Sequence, residues 1–258
     1  IFKNFFLFLY APILLVLLIT IISNNSSKNL KEISIEVHQI LSSIDKKKPK
    51  ETNQNIINII NNSNSDYIIF AENNFPYLVN QNEPNNLLEI IKNDKKIIIG
   101  ATTYQDNKYY NSFLLLEKNQ IQFFDKKILV PFGEFLPFRK YLKFMENISG
   151  STDFQIGKTN RILITEDNFR IFPIICYEVI FDKIFKNIEK NNIDIMINIT
   201  NDSWFGTKLG PYQHFYIARI KSLIANKPLI RVSNNGISAI IDNKGKIIKS
   251  TKLNKISN

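Results

Sequence analysis

Residues 170–181, RIFPIICYEVIF, hold the chain's one cysteine at the end of an apolar, β-branched and aromatic run of strand length. Tyr177 and Glu178 follow at once, so the run reads as a buried strand that must turn where Cys176 sits. A strand-to-helix corner exposes a side chain at a sheet edge and points the next amides at it, which favours a thiolate and a developing oxyanion. The other reading of an unpaired cysteine is a small buried hydrophobe.

Comparable runs recur on both sides of this corner, at 33–37, 67–71, 96–103, 110–116, 121–124, 162–164, 193–199, 229–233 and 237–242. Helix-length stretches lie between several of them, at 50–62, 85–93, 179–190 and 211–226, the last with Pro211 where a first helical turn accepts it. Strands alternating with helices predict a layered α/β domain over 31–258, with no internal repeat and no linker long enough to divide it. Asp242-Asn243-Lys244-Gly245 predicts a tight turn, and the Asn/Ser-rich stretch 61–66 a loop.

Ahead of this domain, residues 4–23 (NFFLFLYAPILLVLLITIIS) carry no charged side chain. At about 1.5 Å per residue such a run matches the ~30 Å of a bilayer core, so 1–30 is expected to be a transmembrane helix and short linker. A secretory signal peptide is the alternative. It is disfavoured by the length of the run and by the NNSSKN that follows in place of a small-residue cleavage site. Lys3, Lys28 and Lys31 flank the run on both sides and leave its orientation open.

Composition narrows the chemistry. With 258 residues, 44% of them apolar, the chain can bury a core without a staple, and its single cysteine excludes an intrachain disulfide or a CxxC metal site. His38 and His214 lack the spacing of a catalytic zinc site, so neither metal nor cofactor is expected. Thirty-three basic against 23 acidic residues give a net charge of +10. The whole chain is saturated with Ile, Asn and Lys, however, so the excess marks no particular face, and no nucleic-acid signature accompanies it.

Two further side chains stand where chemistry is feasible. Glu72, in DYIIFAENNFPY, ends an apolar strand; it is either solvated in the loop or held for a purpose, in which case burial raises its pKa toward that of a useful base. Lys126, in FFDKKILVPFGEFLPF, is one of two adjacent lysines that face opposite ways on extended chain, so one can point inward and supply a fixed positive charge. Downstream, Glu134 lies in a loop between two prolines, either orienting another group or simply on the surface.

Taken in order, the Glu, Lys and Cys at these strand ends resemble the nitrilase, or carbon–nitrogen hydrolase, superfamily. Within it, VPFGEFLPF, CYE, NITNDSWFG and GPYQHFYIARIKSLIANKPLIRVSNNGISAIID are similar to the apolipoprotein N-acyltransferases. The resemblance implies an α/β fold, a four-layer α-β-β-α nitrilase-like sandwich preceded by a transmembrane helix. It implies Glu72 as general base, Lys126 as oxyanion-stabilising lysine and Cys176 as nucleophile, with Glu134, Tyr177 and Glu178 as further site residues. It also implies a phospholipid acyl donor, a diacylglyceryl lipoprotein acceptor, and a place in the bacterial inner membrane with the catalytic domain on the extracytoplasmic side. Complete members carry several membrane helices before this domain and another after it, so the domain is expected to be truncated at its C-terminus. A nitrilase-type amidase or carbamoylase acting on a small amide is the alternative. The chain departs from the family pattern at IEVHQILSSID, in having Trp204 as its sole tryptophan, and at Ile128, where the family carries histidine.

Overall fold

The computed structural model describes residues 33–39, 48–87, 90, 94–146, 152–186 and 188–253. The apolar run 4–23 lies outside them. Among the described residues no helix is long and apolar enough to cross a membrane.

Residues from Ser34 onward form one compact unit built on two six-stranded sheets. The first contains β1 (Ile35–His38), β2 (Tyr67–Phe70), β3 (Val79–Asn80), β4 (Lys96–Gln105), β5 (Lys108–Leu116) and β6 (Ile121–Asp125) in the order β1-β2-β4-β5-β6, with β3 paired to β4. The second contains β7 (Leu163–Ile164), β8 (Arg170–Ile175), β9 (Ile195–Asn201), β10 (Leu229–Asn234), β11 (Ala239–Ile241) and β12 (Ile247–Ser250), in the order β12-β11-β10-β9-β8-β7. Two α-helices are described, α1 (Pro49–Asn62) and α2 (Leu209–Ala225).

Period-two alternation gives each central strand two buried faces. Ile68, Phe70, Ile97, Ile99, Leu114 and Leu116 pack against Ile56 and Ile60 of α1. Phe172, Ile174, Met196, Leu229 and Ile241 pack against Phe215, Ala218 and Ala225 of α2. The alternate residues, Ile69, Ile98 and Phe113 in one sheet and Ile175, Ile197, Ile199 and Val232 in the other, are also buried and face away from the helices. Hydrogen bonds join the sheets: Asn201 N–H to Glu72 at 2.8 Å, Asn74 to Asn234 at 3.1 Å and Gln39 to the Gly236 carbonyl at 3.1 Å. The layers are therefore α-β-β-α.

Strands β1, β2 and β4 run parallel, as do β8, β9 and β10. The antiparallel β4–β5–β6 pairings bring β6 back parallel to β4. Their carboxyl ends are where a ligand crevice forms in such sheets.

The expected helix at 179–190 does not form. That segment belongs to three short 3₁₀ turns, Cys176–Ile180, Asp182–Phe185 and Ile188–Asn191, because the chain adopts extended geometry at Phe181. Val179, Phe185 and Ile188 are buried there at a spacing that a straight helix would spread around its circumference. Of the stretch 85–93, the described part holds a single 3₁₀ turn, Asn85–Leu87. The 242–245 turn joins β11 to β12, with Gly245 at φ +73° and Asp242 Oδ1 accepting the Lys244 and Lys246 amides. Strands β3 and β12 are too short or too exposed to stand out in the sequence.

Candidate active site

Three strand ends deliver their next residues to one place. Glu72 stands two residues beyond β2, and its close seating depends on Gly100 in β4. A Cβ at Gly100 would lie 2.6 Å from both Glu72 Cα and Asn73 N, closer than backbone can yield. Gly100→Ala is therefore expected to destabilise the fold by about 1–3 kcal/mol and to displace Glu72. Thermal melting checks the first effect, and the reactivity of Cys176 toward iodoacetamide the second.

Glu72 is buried, and both its oxygens are engaged: Oε1 accepts from Asn111 Nδ2 at 2.8 Å and Oε2 from the Asn201 amide at 2.8 Å. Lys126, the residue after β6, is buried too. Its Nζ lies 2.8 Å from Glu134 Oε2 and 3.9 Å from Glu72 Oε1. Asn111 Nδ2 also donates to Glu134 Oε1 at 2.7 Å, so one amide group bridges the two carboxylates. Glu134 Oε2 further accepts the Val130 amide at 2.9 Å, which ties the following loop to the site.

Cys176 follows β8 at φ +50°, a left-handed conformation that costs an L-residue about 1–2 kcal/mol. Its side chain lies within interaction range of Glu72, Thr200 and Lys126. The structure thus brings Glu72, Lys126, Glu134 and Cys176 into one buried cluster.

Two carboxylates share a single ammonium here, and Glu134 has the nearer half. Burial raises the pKa of Glu72; Lys126 opposes that shift and Glu134 adds to it. Burial would lower Lys126, but Cys176, Glu72 and Glu134 outweigh it and hold the ammonium above its ordinary value. The Cys176 thiol is pushed up to about 12, by burial first and then by the Glu72 charge. This corrects the expectation that the corner favours a thiolate: desolvation and a neighbouring carboxylate dominate the local amides, so the resting side chain is a thiol.

Glu178 and Tyr177 occupy different surroundings. Glu178 is fully buried and binds Arg161 through both oxygens, at 2.6 and 2.8 Å, while accepting the amides of Lys127, Ile128 and Ile175 at 2.9, 3.2 and 3.0 Å. It clamps the chain after Lys126 to the chain before Cys176. The Tyr177 ring lies in an aromatic group, 6.0 Å from Phe205 and 5.9 Å from His214 between centroids.

The loop carrying Glu134 continues into exposed apolar surface. Phe138, Tyr141 and Phe144 are each more than three-quarters exposed, while Leu136 is buried and Phe135 half-buried. Arg139 is engaged by Asp153 and Glu146, whereas Lys140 and Lys143 are exposed.

Asn111, Asn198, Asn201, Asp202, His214 and Arg231 also line or back this cluster. A polar residue inside an apolar strand run was the available signal for Asn111, Asn198 and Arg231, since such a group is buried only with partners. In an asparagine-rich chain that signal does not stand out.

The carbon–nitrogen hydrolase family profile matches residues 46–256. Among curated relatives, the apolipoprotein N-acyltransferase of Rickettsia typhi is 39% identical over 181 residues, 66% of this chain and 36% of that protein. That of Rhizobium rhizogenes is 34% identical over 203 residues, 74% and 38% respectively. The chain therefore spans little more than a third of the length of these relatives. Among solved structures, XC1258 of Xanthomonas campestris, a CN-hydrolase superfamily protein, superposes with TM-score 0.66 at 14% identity, covering 88% of this chain and 89% of that one. The glutamine-dependent NAD+ synthetase of Acinetobacter baumannii superposes with TM-score 0.68 at 16% identity, covering 88% and 44%. With two sheets of matching fold and a profile match over most of its length, the chain belongs to the carbon–nitrogen hydrolase family.

Proposed function

We propose that this chain carries the catalytic domain of an apolipoprotein N-acyltransferase, working by two-step acyl transfer through Cys176. The observation that carries this reading is the buried Cys176 clustered with Glu72 and the Lys126 ammonium, in a sequence 34–39% identical to enzymes of that name.

In the first step Glu72 takes the thiol proton as the sulfur attacks an acyl ester carbonyl of a phospholipid. Concerted removal suits a thiol whose resting pKa is about 12. Lys126 and the Tyr177 amide hold the oxyanion, each donor worth on the order of 3–4 kcal/mol. The carbon–oxygen bond then breaks, Glu72 returns its proton to the departing alkoxide, and lysophospholipid leaves a thioester on Cys176. In the second step the α-amine of a diacylglyceryl-cysteine attacks the thioester, Glu72 accepts a proton from nitrogen, the amide forms and the thiol is regenerated. Both substrates are lipids, and residues 4–23 are read as the membrane anchor that confines the domain beside them, on the extracytoplasmic side of the bacterial inner membrane. Such confinement raises effective concentration over that of free diffusion.

The full chain in phospholipid vesicles with a radiolabelled acyl donor is expected to accumulate a hydroxylamine-sensitive label, which a diacylglyceryl-cysteine peptide discharges as amide. Turnover of small amides without labelling by phospholipid would instead establish the amidase reading. The exposed Phe138, Tyr141 and Phe144 form a lipid-facing lid, with Lys140 and Lys143 suited to anionic headgroups. Phe138→Ser and Phe144→Ser in a chain lacking 1–30 are each expected to weaken vesicle binding about tenfold; unchanged co-sedimentation would remove the lid.

A further inference from the structure

The chemistry above does not use a second buried polar cluster beside the nucleophile. Arg231 of β10 and Asp202, just past β9, form a fully buried ion pair, Nη2 donating to Oδ1 at 3.0 Å and Oδ2 at 2.7 Å. Arg231 Nη1 donates to Asn198 Oδ1. Asn198 Nδ2 in turn donates to the Ile174 carbonyl at 3.2 Å and reaches the Cys176 carbonyl at 3.5 Å. His214 of α2 places Nδ1 2.9 Å from Asp202 Oδ1 and 3.1 Å from Arg231 Nη2. Its Nε2 is buried and has no hydrogen-bond partner among the described residues. Gly236 packs against the same carboxylate; a Cβ there would stand 2.1 Å from Asp202 Oδ2.

A buried ion pair contributes little to stability that hydrocarbon of equal volume would not. What this one does is orient an amide. Because Arg231 occupies Asn198 Oδ1, the Asn198 nitrogen must face β8 and the Cys176 carbonyl. A trans peptide is planar, with its carbonyl and the following N–H pointing opposite ways. Holding the Cys176 carbonyl on one side thus aims the Tyr177 N–H on the other. The restraint is needed, because Cys176 sits at φ +50° and its strained peptide would otherwise relax by rotation.

We propose that Asn198, oriented by the Arg231–Asp202 pair that His214 braces at Asp202, is a positioning residue that holds the Cys176 carbonyl and so keeps the Tyr177 amide aimed at the oxyanion formed in acyl transfer. This inference rests on the reading of Cys176 as the acylated nucleophile.

Two reactions of the same sulfur test it. Acylation by p-nitrophenyl butyrate passes through an oxyanion, whereas alkylation by iodoacetamide displaces iodide at a tetrahedral carbon and forms none. In the full chain, Asn198→Ala and the near-isosteric Asn198→Leu, which lacks the donor, are expected to slow acylation about 10- to 100-fold while alkylation stays within about threefold. Thermal melting identifies any variant that fails to fold, in which case the other Asn198 variant carries the comparison. Acylation and alkylation falling together, acylation unchanged, or alkylation accelerated by loosening of the buried thiol would each overturn the proposal. Failure of the unsubstituted chain to acylate Cys176 would overturn the proposed function and this inference with it. Normal acylation of the unsubstituted chain with unaffected variants overturns this inference alone.

Discussion

Cys176→Ala is expected to abolish the hydroxylamine-sensitive acyl-enzyme and to lower acyl transfer on the order of 10⁶-fold, the scale on which a removed covalent nucleophile is felt. Cys176→Ser is expected to stay close to that floor. A serine hydroxyl is a far weaker acid than even this elevated thiol, and one carboxylate hydrogen-bonded by Asn111 and Asn201 is a poor base for it. Persistent acyl label in the Ala variant would refute the assignment of the nucleophile. A second measurement separates the geometric role of this residue from its chemical one. Glycine inside regular structure is ordinarily less stable than alanine by about 0.5–1 kcal/mol, but it adopts positive φ without strain. At φ +50° Cys176→Gly is therefore expected to melt no lower than Cys176→Ala and to be about 1 kcal/mol more stable. Inactive but firmer, it would show that backbone strain is maintained here at the expense of stability.

Glu72→Gln is expected to slow acylation about 10²- to 10⁴-fold, the range for loss of a positioned general base, while leaving Cys176 in place. The pH profile sharpens the test. Burial, reinforced by Glu134, raises the pKa of Glu72 above its ordinary 4.5. The base is the deprotonated form, so activity in the unsubstituted chain is expected to fall as pH drops through that raised value, at a pH where an exposed carboxylate would still be ionised. The acid limb should vanish in Glu72→Gln, because no proton is left to bind there. The same shift has a stability consequence of fixed sign. Between the unfolded-state value and the raised folded-state value the native chain binds more protons at Glu72, so this group's contribution to stability falls as pH rises through that window. Asp202 behaves oppositely. Burial works against its charge, but Arg231 and His214 outweigh it and hold its carboxyl well below the usual range. Its contribution is present above 3.8 and is lost as pH falls toward the lowered value.

Strand periodicity carried the α/β layering and most strand positions, because a strand buried on both faces writes itself as a continuous apolar run whatever its neighbours. The tight turn at Gly245 was legible for the same local reason. So were Glu72, Lys126 and Cys176 as candidates, since each ends or follows such a run. The helix expected over 179–190 failed because burial of Val179, Phe185 and Ile188 against β8 and β9 overrode local propensity. Asn111, which bridges Glu72 and Glu134, was invisible among so many asparagines, and so was the Arg231–Asp202–Asn198 relay. Their roles exist only when residues from β5, β9 and β10 meet.

Sequence by itself determined which side chains stand at strand ends and that the chain layers strands with helices, since those depend on periods of two and of about 3.6 along a single segment. Tertiary structure alone decided that Glu134 takes the nearer half of Lys126, that Glu72 is left to hold its proton more tightly, and that Cys176 rests as a thiol. Those outcomes turn on a difference of about an ångström between the distances from Lys126 to one carboxylate eight residues away and to another fifty-four residues away, and on burial, which no local pattern encodes.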